Sequence, residues 1–305
     1  MSEVTGRPIR GASREHTLAP KFALVTMSHK GQFFKRLSDG AKTAAAKAGV
    51  ELVVFNTSDS PSGQNDAIES CTRSRIQGII IAALDVNRVM SAVRAAAAAG
   101  IPVVAVDAIL PAGTHKAQIA VDSATAGGMV GRHFLDYVAK SGGEANLGII
   151  CALNSPNQNI RRQGFEAVVA GQPGVNITQV VDGRDNLELS VAAAETLLAG
   201  KPTPTALYAT GEVALFGAIA AVERLGKQDE VKIFGWDLSA QAIKGIDAGY
   251  VVAVAQQDPV GMGAAAVIAL TTLNKGGSIK NTISASVNIV TRANVDPYRA
   301  VFAQC

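Results

Sequence analysis

The chain has 305 residues, of which 48% are hydrophobic and 17% charged, with a formal net charge of +3. That length predicts two lobes of roughly 130–150 residues each, and that composition a soluble globular protein with ample core rather than a disordered one. The basic residues are scattered, with no Lys/Arg stripe interleaved with aromatics, which argues against nucleic acid as a partner. No apolar run approaches the ~20 residues of a membrane-spanning helix.

The opening stretch, MSEVTGRPIRGASREHTLAP, is polar and lacks the apolar segment of a secretory signal, so residues 1–20 read as a flexible arm. From Lys21 the pattern becomes regular. FALVTM is a short apolar run, QFFKRLSDGAKTAAAKAG a helix closed by Gly49, and VELVVF a second strand. SGQNDAIESCTRSR is helical, GIIIAAL a third strand, NRVMSAVRAAAAAG a helix, and IPVVAVD a fourth strand. Near-continuous Val/Ile/Leu strands, each followed by a helix, imply a parallel sheet covered on both faces.

The cycle then starts again. KAQIAVD leads into SATAGGMVGRHFLDYVAK, a helix that Asp122 or Ser123 can cap. NLGIICAL, VNITQVV, TALYAT and VKIFGW are strands of a second parallel unit, with helices such as ELSVAAAETLLAG and VALFGAIAAVERLG between them. After YVVAVAQ comes a long helix, DPVGMGAAAVIALTTLNKG, with Pro259 in its first turn. ISASVNIVT reads as one last strand. The fold class is therefore α/β, two Rossmann-like lobes with parallel sheets, and the crevice between them is the natural place for a small molecule.

Several chemistries find no support. The G-x-G-x-x-A of VGMGAAAV does not follow a strand directly, and close helix packing explains it better than a dinucleotide. His16, His29, His115 and His133 share no metal-ligand spacing. Cys71 and Cys151 read as small core residues, and the terminal Cys305 completes no disulfide framework. There is no nucleophile elbow. No catalytic residue, metal or cofactor is expected.

What remains is a set of polar and aromatic residues just past strand ends, where open α/β sheets meet their ligands. VVAVD ends in Asp107, and NIRRQGF carries Arg161 in the first turns of a helix. IFGWD ends in Trp236 and Asp237, VAVAQQD in Gln256 and Gln257, and Phe33 and Phe34 begin the first helix. Carboxylates only accept hydrogen bonds and guanidinium only donates, so together they suit hydroxyls that do both. Aromatic faces pack on the C–H faces of a sugar ring. The set fits a polyhydroxylated guest.

At these residues the sequence resembles the ribose-binding type of periplasmic solute-binding protein, the receptor of carbohydrate ABC transporters. The resemblance runs from about Phe22 to Thr291 and is carried by FALVTMSHKGQFFKRLSDGAKTAAAKAGVELVV, IPVVAVD, NIRRQGFEAVV, FGWD and GYVVAVAQQDPVGMG, in order and in spacing. It implies a type I periplasmic binding protein fold with a multi-strand hinge. Residues 21–122 with 258–283 would form the N-terminal lobe, and 123–257 with 284–305 the C-terminal lobe. It also implies ligand-binding roles for Phe33, Phe34, Asp107, Arg161, Trp236, Asp237 and Gln257, with Trp236 walling the sugar.

The chain departs from the ribose-binding pattern at Ala82, Ala108 and Gly211, where two amides and an arginine are expected, and at Met27. Lost hydrogen bonds in a closed pocket cost about 1–3 kcal/mol each, so a different sugar, a deoxy sugar or a polyol is expected instead of ribose. Met27, Gly31, Asp185 and Glu212 are the expected selectivity positions. The implied protein is a monomeric, non-enzymatic component of an ABC transporter, working with a membrane permease in the periplasm. The alternative is a cytoplasmic ligand-sensing domain related to LacI-type regulators, though no helix-turn-helix pattern precedes Lys21.

Overall fold

The structure is a computed structural model that describes residues 19–27 and 32–303. The N-terminal arm up to residue 18, with His16, as well as His29, Gly31 and Cys305, lies outside the described residues.

The apolar runs become strands because their side chains find cover on both faces of a sheet. β1 (Lys21–Thr26), β2 (Glu51–Asn56), β3 (Gly78–Ile81), β4 (Val103–Val106) and β5 (Ala117–Ala120) are interleaved with α1 (Gln32–Ala48), α2 (Pro61–Arg73) and α3 (Met90–Ala98). The second series runs α4 (Ser123–Lys140), β6 (Ala145–Cys151), α5 (Pro156–Val169), β7 (Val175–Asp182), α6 (Leu187–Ala199) and β8 (Ala206–Ala209). It continues with α7 (Glu212–Arg224), β9 (Lys232–Trp236), α8 (Ala240–Ala248), β10 (Val251–Gln257) and α9 (Pro259–Asn274). The chain ends with β11 (Thr282–Ser284), β12 (Val287–Val290) and α10 (Asp296–Phe302).

Two six-stranded sheets result, ordered β11-β5-β4-β3-β1-β2 and β12-β10-β9-β8-β6-β7. The orders correspond position by position, so the second lobe repeats the first. Pairing is parallel except where β12 runs antiparallel to β10. The single last strand expected from ISASVNIVT is in fact two. Ala285 N–H still donates to the Ala120 carbonyl in the first sheet, while Val287 already pairs with Gln257 in the second. The chain thus crosses between sheets three times: after β5, after β10 and between β11 and β12.

Each sheet has a core on both faces. Phe22, Leu24, Leu37 and Leu270 pack on one side of the first sheet, and Val25, Ile68, Ile79 and Val93 on the other. In the second, Phe134, Phe165, Phe234 and Trp236 face Leu197, Leu215 and Ile246 across the strands. Cys71 and Cys151 are buried core residues. Two close helix pairs hold the helix starts that border the cleft. A Cβ at Gly40 of α1 would overlap the Val260 carbonyl of α9, and one at Gly164 of α5 the Ala124 carbonyl of α4. Gly263, from the G-x-G-x-x-A stretch, meets the Leu37 carbonyl in the same way, which makes that stretch a helix-packing feature.

Candidate functional site

Two aspartates occupy matching places in the two lobes. Asp107 follows β4 and Asp237 follows β9, at φ 65° and 62°, in the left-handed region that aspartate tolerates better than most residues. Asp107 N–H donates to the Ile119 carbonyl (2.9 Å) and Asp237 N–H to the Ala255 carbonyl (2.9 Å), so neither turn leaves its amide unpaired. The left-handed step takes each residue out of its strand at the C-terminal edge of the sheet.

Around them the two lobes meet. Asn157 Nδ2, in the first turn of α5, donates across the cleft to Asp107 Oδ1 (3.3 Å). The backbone N–H of Gln32, at the start of α1, donates to the Glu212 carboxylate on α7. Gln257 Nε2 donates to both oxygens of Asp237 (3.0 and 3.2 Å), and Gln256 Oε1 accepts from Leu238 N–H (2.7 Å). Gln158 Nε2 donates to Asp185 Oδ1 (3.1 Å), while its Oε1 accepts from Thr210 Oγ1 (2.8 Å) and Ala152 N–H (3.0 Å).

Arg161 is 6% exposed and lies at the centre of this array. Its guanidinium carbon sits 3.9 Å from the ring centroid of Trp236, Nη1 donates to the Thr210 carbonyl (3.2 Å), and Nη1 lies 3.9 Å from Asp237 Oδ2. Its buried Nε–H has no partner among the described residues. Trp236 is fully buried, with Nε1 donating to Tyr208 Oη (2.8 Å), and Tyr208 is stacked on Phe165. Trp236, expected to wall a sugar, has one ring face covered by the Arg161 guanidinium, which it supports.

Burial dominates the electrostatics. It pushes the Asp107 carboxyl up to about 6; Arg161 opposes the rise, while Asp237 and Asp185 add to it. It pushes Glu212 up to about 7, again helped by Asp237 and Asp185 and opposed by the Gln32 N–H. Asp237 is raised too, with Arg161 and the Gln257 amide offsetting part of the burial cost. Asp107 and Glu212 are brought toward neutrality because water has been largely withdrawn from them.

Of the residues expected from sequence, Asp107, Arg161, Asp237 and Gln257 come together directly. Phe33 and Phe34 meet edge to face (5.0 Å) at the start of α1, and Phe33 lines a small cavity with Arg36, Glu212, Asp237, Pro259 and Phe302. That cavity is about 10 Å³, room for about one water, so a sugar-sized molecule enters only if the lobes part. Met27 directly follows β1, where its carbonyl accepts from Thr57 N–H. Sequence reasoning missed Asn157, Gln158, Arg36 and Phe302. Asn157 and Gln158 sit just ahead of NIRRQGF, and Arg36 lies one helical turn beyond Phe33, a spacing that signals a shared face. Nothing local marks Phe302.

Comparison with known proteins agrees with this architecture. Residues 22–278 match the family described as "Periplasmic binding protein domain". The ribose import binding protein of Escherichia coli is 28% identical over 275 residues, spanning 88% of this chain and 90% of that protein. A solute-binding protein of an ABC transporter from Burkholderia graminis, solved in complex with D-arabinose, is 25% identical with a TM-score of 0.84, covering 92% of this chain and 97% of the other. A Mycobacterium smegmatis solute-binding protein with bound glycerol is also 25% identical, with a TM-score of 0.83, covering 92% and 96%. With two α/β lobes of matching strand order and a family match over most of its length, the chain belongs to the periplasmic binding protein domain family.

Proposed function

We propose that the protein is the substrate-binding component of an ABC transporter and takes up a small sugar or polyol between its lobes. Residues 21–122 with 258–285 form one jaw, residues 123–257 with 286–303 the other, and the three chain crossings are the hinge; the boundary expected at 283/284 moves because Ser284 and Ala285 still bond to Ala120 in the first sheet. The observation that carries the reading is the meeting of Asp107, Arg161, Asp237 and Gln257 from strand and helix ends of both lobes. The aspartates accept hydrogen bonds from hydroxyls, Arg161 donates through its Nε–H, which has no partner among the described residues, and Phe33 and Phe34 offer apolar faces. The names of the relatives, ribose import and arabinose-bound solute binding, support a guest of this kind. The named relatives are import and solute-binding proteins, so the guest is read as held and released unchanged. Delivery to a membrane permease from the periplasm follows from this reading.

Thermal melts with a panel of neutral pentoses, hexoses and polyols test it. At least one should raise the melting temperature and be recovered chemically unchanged, and Asp237→Ala and Gln257→Leu should each abolish the shift. If both variants keep the full ligand-dependent shift, or if the guest is converted to product, the reading fails.

A further inference from the structure

The C-terminal helix α10 reaches the cleft, although it lies beyond the residues that match the family, 22–278. Its side chains tie it to the second lobe. Val295, just before the helix, and Phe302, at its end, are buried in that lobe's core with Ile243, Ile246 and Val290. Between them, Arg299 donates from Nη1 and Nη2 to the two carboxylate oxygens of Asp247 on α8 (2.8 Å each). A bidentate pair fixes orientation as well as distance, so α10 moves with the second lobe.

Phe302 also faces the first lobe. It lines the interlobe cavity with Phe33, Arg36, Glu212, Asp237 and Gln256. The Arg36 guanidinium of α1 lies over its ring, 5.1 Å from the centroid, within reach of a cation–π attraction. The same guanidinium helps to lower the Asp237 carboxyl, so Arg36 acts on both the ring and a carboxylate of the guest site. Arg36 and Phe302 belong to different lobes, and their contact exists only while the lobes are together. The cavity beside the ring is about 10 Å³. A ring seated in a close-packed core has nowhere to retreat when a larger group is pressed against it.

From these contacts we infer that Phe302 is a specificity-determining wall of the guest site, held across the closed cleft by Arg36, and that the pair limits how large a sugar or polyol the lobes can close upon. The inference rests on the sugar-or-polyol reading above and adds a boundary to that site.

The test is isothermal titration of the full chain with neutral guests of rising size: glycerol, D-ribose, D-arabinose, D-allose, D-galactose and maltose. Phe302→Leu shortens the wall and should improve binding of the next larger guest, relative to the tightest one, about tenfold. Arg36→Met frees the ring from its partner and should move the ratio the same way, several-fold; lying on a half-buried helix face, it keeps the test decisive should Phe302→Leu not fold. Leu198→Ala, in the same core but on α6, should lower the melting temperature and leave the ratio alone. If both cleft variants keep the ratio within about twofold, or if Leu198→Ala shifts it as much, the inference is overturned while guest binding stands. Tightest binding of maltose by the unaltered protein overturns it too, because no size limit is then at work. If no guest binds the unaltered protein, both readings fall together.

Discussion

Replacing Arg161 by methionine keeps an unbranched stem and removes the guanidinium. The variant loses the ring contact with Trp236 at 3.9 Å, the hydrogen bond to the Thr210 carbonyl at 3.2 Å, and the ion pair with Asp237 at 3.9 Å. A desolvated cation–π contact contributes about 2 kcal/mol, and a hydrogen bond from a charged donor about 1.5–3 kcal/mol. The long ion pair adds little, because Gln257 still donates to both Asp237 oxygens. Against these losses, the variant no longer buries an unpaired Nε–H, a saving of about 1–3 kcal/mol. The net loss is about 2 kcal/mol, which lowers the melting temperature by about 4–8 °C for a unit of this size.

The loss should also depend on pH, with a definite sign. Burial raises Asp107 and Asp237 above their unfolded values, so the stability they contribute is fully present below about pH 4 and is lost as pH rises through the folded values, about 6 for Asp107. Arg161 lowers both, so its removal raises both further and steepens the decline. Melts followed by circular dichroism without added ligand should therefore show a larger deficit at pH 8 than at pH 5. A melting temperature within about 2 °C of the unaltered protein at both values would refute this account of Arg161 as the cleft's buried counter-charge.

Glu212→Gln keeps an acceptor for the Gln32 N–H but removes a charge whose folded pKa is raised to about 7. The glutamate's contribution is lost as pH rises through that value, so the glutamine variant should be more stable by about 1 kcal/mol above pH 7.5. The gain should vanish near pH 4.5, and a gain that does not change with pH would count against the burial argument. Gly164→Ala places a methyl against the Ala124 carbonyl and should cost about 1–3 kcal/mol in urea unfolding, with Gly40→Ala matching it in the other lobe. Unchanged midpoints in both would mean that the helix pairs have slack that their spacing does not show.

Much of the framework was legible in the sequence. The apolar runs and 3.6-residue periodicities place the strands and helices from Lys21 to Asn274, because each local pattern admits one way of hiding its face. Asp107 and Asp237 were also legible, since an aspartate directly after a buried strand belongs at the sheet's ligand-facing edge. Tertiary structure alone decided the rest. That Arg161, 75 residues earlier, stacks on Trp236 is invisible in the sequence. ISASVNIVT reads as one strand until two different sheets claim its two ends. Asp107, Arg161 and Asp237 meet only because the repeated strand order brings separate strand and helix ends to one cleft. Local chemistry determines which face a segment hides, but which distant segment does the hiding depends on how the helix pairs and chain crossings assemble. That assembly is a property of the whole chain.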